Sequence, residues 1–184
     1  MSNSFWEFSV ATYAKDGVPS ACLALQDSLD VDVNVLLFCC WFGLTRGAIE
    51  EERFARLLLA SETWASRVVR PLRAVRRWMK QDVYESLQPE TQSVSGLREK
   101  IKSNELSAEK IQQDLLLASV EDLAGKQMNV EEQLDAVVEN IRLYLDKKGI
   151  EADGASAAEL CHVISSASDN FESATVKARL EQHC

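Results

Sequence analysis

Arginine recurs at positions 67, 70, 73, 76 and 77, and Lys80 closes the run. At about 100° per residue, Arg70, Arg73, Arg76, Arg77 and Lys80 share one arc of a helix, with Arg67 to its side. Trp64, Val68, Leu72, Val75, Trp78 and Met79 fall within a separate arc of about 120°. The spacing therefore predicts an amphipathic helix with a core face and a guanidinium strip. Guanidinium forks hold carboxylates and phosphates bidentately. Such a strip could dock an acidic protein surface, a phosphorylated ligand, RNA or anionic lipid. The plainer reading is that it pairs with the protein's own acids, such as Glu50–Glu52 or the acidic second half.

Charge sharpens the choice. The chain carries 20 Lys/Arg against 29 Asp/Glu, a net charge of −9. Residues 53–80 hold eight of the basic residues and a single acid, Glu62. The remainder keeps 12 basic against 28 acidic residues, or −16. That excess would repel a phosphate backbone beyond the strip, so nucleic acid is the less favoured partner.

Other chemistry is thinner. Asp27, Asp30 and Asp32 form a D-x-x-D-x-D cluster that could hold Mg²⁺ against a diphosphate. A helix end followed by an Asp cap explains it more simply. Glu159 and His162 have the Glu-x-x-His spacing of di-iron bundles, but in one copy where two are needed. Cys161, His162, His183 and Cys184 are zinc-type ligands, yet neighbours on a helix point about 100° apart and converge poorly. Cys39-Cys40 lies in the most apolar segment, where cysteine behaves as a small hydrophobe. A nucleophile there would need a nearby base, and the two histidines are remote in sequence. G-x-G-x-x-G and Walker patterns are absent. We expect no metal, no cofactor and no catalytic residue, with catalysis left open and not favoured.

The elements that must position these groups are all helical. The 184 residues are 46% apolar and 27% charged, ordinary globular proportions. Seven Gly and three Pro are too few for a loop-rich β protein. Ser4 to Glu7 reads as a capping box for a first helix running to about Lys15. Pro19 suits the first turn of a second, which ends near Asp30. Asp32 caps a third, apolar on nearly every face, which Gly43 should stop. A fourth begins near Gly47 with Glu50, Glu51 and Glu52 in its early turns. The next covers about 62–86, and Pro71 predicts a kink or break between Arg67 and Arg70. Pro89 marks its end.

Residues 93–124 read as two helices or one bent helix. Val130, Leu134, Val138, Ile141 and Leu145 form a clean stripe closed by Gly149. Ser156 to Glu159 reads as a capping box opening a helix to about Ser166, and a last helix covers roughly 170–183. No strand alternation and no repeat is evident. The expected fold is all-α, an irregular bundle of about eight to ten helices in a single domain, 1–184. Eleven of the thirteen aromatics lie in residues 1–84, so a soft boundary is expected near 86–93.

FWEFSVATYAKDGVPSACLALQD, DVNVLLFCCWFG and VVRPLRAVRRWMK, in that order, resemble an all-helical family of uncharacterised proteobacterial proteins, a domain of unknown function. The resemblance spans roughly residues 5–145. It implies a small helical protein and carries no activity, cofactor or catalytic residue with it.

No basic residue precedes an apolar run at the N-terminus, and VNVLLFCCWFGL is too short for a bilayer. Five cysteines without regular spacing do not make a disulfide framework. A reduced, cytoplasmic protein is expected. The leading functional expectation is a non-enzymatic binding or adaptor protein that uses Arg67, Arg70, Arg73, Arg76, Arg77 and Lys80 on an acidic or phosphorylated partner. The alternative is a small-ligand-binding protein or an enzyme for a phosphorylated substrate, with its pocket between the N-terminal helices. A third reading is a homodimer through the amphipathic residues 130–184.

Overall fold

An apolar segment with no polar face has to be surrounded, and α3 (Val33–Thr45) is. Its ten residues from Asn34 to Gly43 are all buried in the computed structural model, which describes residues 4–80 and 91–182. Asp32 starts α3 as expected: its Oδ1 accepts the Asn34 and Val35 N–H groups at 2.9 and 3.4 Å. Gly43 does not stop it. The helix runs on to Thr45, and Gly43 is instead a point of close approach to α7 (Val130–Lys148).

The remaining elements wrap this axis. They are α1 (Ser4–Tyr13), α2 (Val18–Leu29), α4 (Glu51–Trp64), α5 (Arg70–Trp78), α6 (Thr91–Ala118), α8 (Gly154–Ala167) and α9 (Ser173–Glu181). α3 packs most extensively on α7 and also meets α1, α6 and α8. α2 lies on α8, and α8 on α9. Phe5 of α1 joins Phe38 and Trp41 of α3 with ring centroids 5.4 Å apart, the aromatic centre of the core. Asn140 of α7 is buried among these apolar groups and fully engaged. It accepts the Ile49 N–H at 2.8 Å and donates to the Cys39 and Gly47 carbonyls, tying the α3–α4 loop to α7.

The kink or break expected between Arg67 and Arg70 takes the form of a π turn, without interruption of the helix. The five residues Ala65–Val69 widen into a π turn, with the Arg70 N–H donating to the Ala65 carbonyl, and α4 continues into α5. Counted as one rod, 51–78 brings the described residues to eight helices, within the expected range, and no strand occurs among them. α6 is one helix and not two. α7 has a capping box of Asn129 with Glu132, and Gly149 ends it in the left-handed conformation. The expected box at Ser156 is displaced: Asp153 is the cap, accepting both the N–H and the hydroxyl of Ser156. The expected helix end at Pro89 and most of the soft boundary near 86–93 lie outside the described residues. No helix among the described residues is long and apolar enough to cross a membrane.

Candidate functional site

The π turn decides where the arginines point. It inserts one residue into the helical count, so everything after it is rotated by about 100° relative to α4. The core face expected to run from Trp64 through Met79 is thereby interrupted, although Met79 at its end is buried. Before the turn, Phe54, Leu57 and Ser61 face inward; after it, α5 buries no residue completely and turns its guanidiniums toward α2 and α6. Val75 and Trp78, expected in the core, are 47% and 45% exposed.

Four of the six predicted basic residues are paired within the molecule. Arg73 donates from Nε to Glu105 at 3.0 Å, from Nη2 to Glu109 at 2.6 Å and from Nη1 to Gln26. Arg76 donates to both oxygens of Glu105. Arg70 donates to both oxygens of Glu62, and Arg77 to Asp27 at 2.7 Å. Hydrogen bonding from Arg77 holds the Asp27 carboxyl below its ordinary range. Arg67 and Lys80 are exposed and have no ion pair among the described residues.

Behind the arginines lies a buried polar layer. Gln112 donates from Nε2 to Asp32 at 2.6 Å and to Ser61 at 2.8 Å, and accepts from Asn34 at 2.9 Å. Gln113 completes it by donating to Asn34 Oδ1 at 2.8 Å. A cavity of about 20 Å³ remains between this layer, Asp30, Arg70, Arg73 and the π turn. That volume suits one water and is too small for a phosphate.

Sequence reading misses Glu105, Glu109 and Gln112, although all three share with Leu116 the i, i+4, i+7, i+11 face of α6. A helical stripe is ordinarily recognised by its apolar residues, and here most of it is polar because Glu105 and Glu109 face arginines and Gln112 faces Asp32, Asn34 and Ser61.

The other motifs separate. Asp27 is bound to Arg77, Asp30 ends α2 in a left-handed conformation (φ 53°), and Asp32 is spent on α3 and Gln112. No group of three or more metal-type ligands forms among the described residues. Cys161 is buried against the Ser173 carbonyl while His162 is exposed and reaches the Asp16 carbonyl at 3.0 Å. His183 and Cys184 lie outside the described residues. Burial pushes the Cys22 and Cys40 thiols up to about 12 and raises Cys39 as well, which leaves them protonated and unreactive.

One family match covers α1 and nearly all of the chain through α6. The family model described as Protein of unknown function (DUF2390) matches residues 4–116. The chain belongs to the DUF2390 family. No curated protein and no solved structure gives a match. The DUF2390 match stops at 116, short of the 145 or so that the resemblance in sequence spans. It includes the six basic residues, the π turn, Glu105, Glu109 and Gln112. α7 lies beyond it, although α7 supplies the main packing surface for α3.

Proposed function

We propose that this protein is a non-enzymatic binding protein that docks an acidic protein surface on the outer face of α5. The observation that carries this reading is the inversion of α5. Pro71, Ala74, Val75 and Trp78 form an exposed stripe, with Arg67, Arg77 and Lys80 exposed around it. Tryptophan and arginine are the residue types that most often anchor protein interfaces. The Arg77–Asp27 pair is solvent-exposed on both sides, so a partner carboxylate can exchange with Asp27 at little cost. Arg70, Arg73 and Arg76 have the scaffolding role in this reading, and the recognition role falls to Arg67, Arg77 and Lys80.

The test is affinity capture with the wild type, a Val75→Ser/Trp78→Ser variant and an Arg67→Gln/Lys80→Gln variant, each checked for an unchanged melting temperature. An acidic protein retained by the wild type, lost with the first variant and weakened by salt and by the second, supports the proposal. Equal retention by all three chains sinks it. So does retention of only RNA or a phosphorylated small molecule.

A further inference from the structure

A second feature lies on α4, apart from the α5 stripe. A recess of about 270 Å³ opens between α4 and α7, with Val35 of α3 in its lining. Ala55, Leu58 and Leu59 give it apolar walls, and Leu59 is 71% exposed at the edge. Its polar lining is Asp32, Ser61, Glu62, Tyr144, Lys147 and Lys148.

The hydrogen-bonding state of these groups is unequal. Both oxygens of Glu62 are taken by Arg70. Both oxygens of Asp32 are taken, by the α3 N-terminus and by Gln112. Ser61 accepts from Gln112. Lys147 donates to Glu51. Lys148 differs: its Nζ stands 3.7 Å from Glu62 Oε2, near enough for attraction and too far for a hydrogen bond. Its ammonium has three donors and no hydrogen-bond acceptor among the described residues. Tyr144 adds a donor. Its hydroxyl accepts the Asp32 N–H at 2.7 Å and keeps its own proton for another partner. Burial raises the phenol further, so that proton stays on at any physiological pH.

We propose that this recess binds a small amphipathic carboxylate, with its apolar chain on Ala55, Leu58 and Leu59 and its carboxylate on Lys148. Glu62 is matched by Arg70, Asp32 by the α3 N-terminus and Gln112, and Lys147 by Glu51, which leaves the Lys148 ammonium as the charge without a hydrogen-bonded counterpart, so the complementary charge is negative. One underused ammonium and one phenol suit a monoanion, whereas a phosphate would need the guanidinium forks that Glu62, Glu105 and Glu109 already occupy. The volume falls just below the usual range for drug-sized ligands, which points to a short acyl chain and not a nucleotide. Apolar walls lower the local dielectric and strengthen the ion pair.

Octanoate, 1-octanol and inorganic phosphate serve as probes, titrated into the intact chain by calorimetry. Octanoate should bind saturably, octanol about tenfold more weakly or worse, and phosphate not at all. Lys148→Gln should bring octanoate to the octanol level, Lys148→Arg should keep most of the affinity, and Lys147→Gln should change it little. Ala55→Trp, at an exposed helix position, should fill the recess and abolish binding with the melting temperature kept. The Val75→Ser/Trp78→Ser chain should bind octanoate as the wild type does, so this site and the α5 surface fail or stand separately. No saturable binding of octanoate, equal binding of octanol, or full affinity in either Lys148→Gln or Ala55→Trp overturns the proposal.

Discussion

Arg73 and Glu105 meet at 3.0 Å in the seam between α5 and α6, where 19% of the arginine side chain and 6% of the glutamate side chain reach solvent. A network this secluded is costly to break from one side: without Arg73, Glu109 stays largely buried with no cation and Glu105 keeps only Arg76. Arg73→Gln should therefore lower unfolding free energy by about 3 kcal/mol. Arg67→Gln, at an exposed position, should stay within about 0.5 kcal/mol. Urea denaturation of both variants decides the matter. Equal, small losses would mean that the inward arginines are not scaffold.

Glu105 and Glu109 both bond Arg73, yet their carboxyls move in opposite directions. Burial raises Glu105, but hydrogen bonds and charge from Arg76 and Arg73 overcome it, and the group ends below its ordinary range. Burial raises Glu109 too, and Arg73 alone offsets only part of that, so it ends above. The linkage signs follow. Glu105, with a depressed folded-state pKa, contributes stability above its unfolded pKa, and this is lost as pH falls through the folded value. Glu109 is the reverse: its ionisation costs stability in full above its raised folded-state pKa, and the cost is relieved as pH falls from that value to the unfolded one. Carbon-13 carboxyl titration should find Glu109 protonating at the higher pH. Glu105→Gln should destabilise the protein at pH 7 with the gap closing in acid, while Glu109→Gln should be neutral or stabilising there. A common titration midpoint for the two would refute the assignment.

The helical fold was legible because its signals are local. Asp32 before a long apolar run, Pro19 in a first turn and Gly149 after a regular stripe each act within one turn of chain. The α5 orientation was not legible in the same way. A π turn changes the phase of every later residue, and no residue type marks it; Pro71 announced a disturbance but not its form. Glu105 and Glu109 were hidden because a charged residue on a helix reads as solvated until its partner is known. That partner lies some thirty residues away in sequence, at Arg73 and Arg76. The six basic residues were found, but their division into inward and outward sets depends on that same phase.

Gly43 offers a test in which two effects have opposite sign. Alanine is the better helix former by about 1 kcal/mol, so propensity alone predicts that Gly43→Ala stabilises α3. A Cβ at this position, however, would stand 2.6 Å from Val137 Cγ2 and 2.7 Å from the Val137 backbone N and Cα. Backbone cannot swing aside as a side chain does, so α3 and α7 would have to part. The expected outcome is a net loss of about 1–3 kcal/mol. Val137→Ala should fail to rescue it, since the clash with the Val137 backbone persists. Gly96 of α6 is the control: a Cβ there meets nothing within 4 Å, and Gly96→Ala should stabilise by up to about 1 kcal/mol. If Gly43→Ala behaved like Gly96→Ala in thermal and urea unfolding, the close α3–α7 approach would be wrong, and with it the burial of α3 on that side.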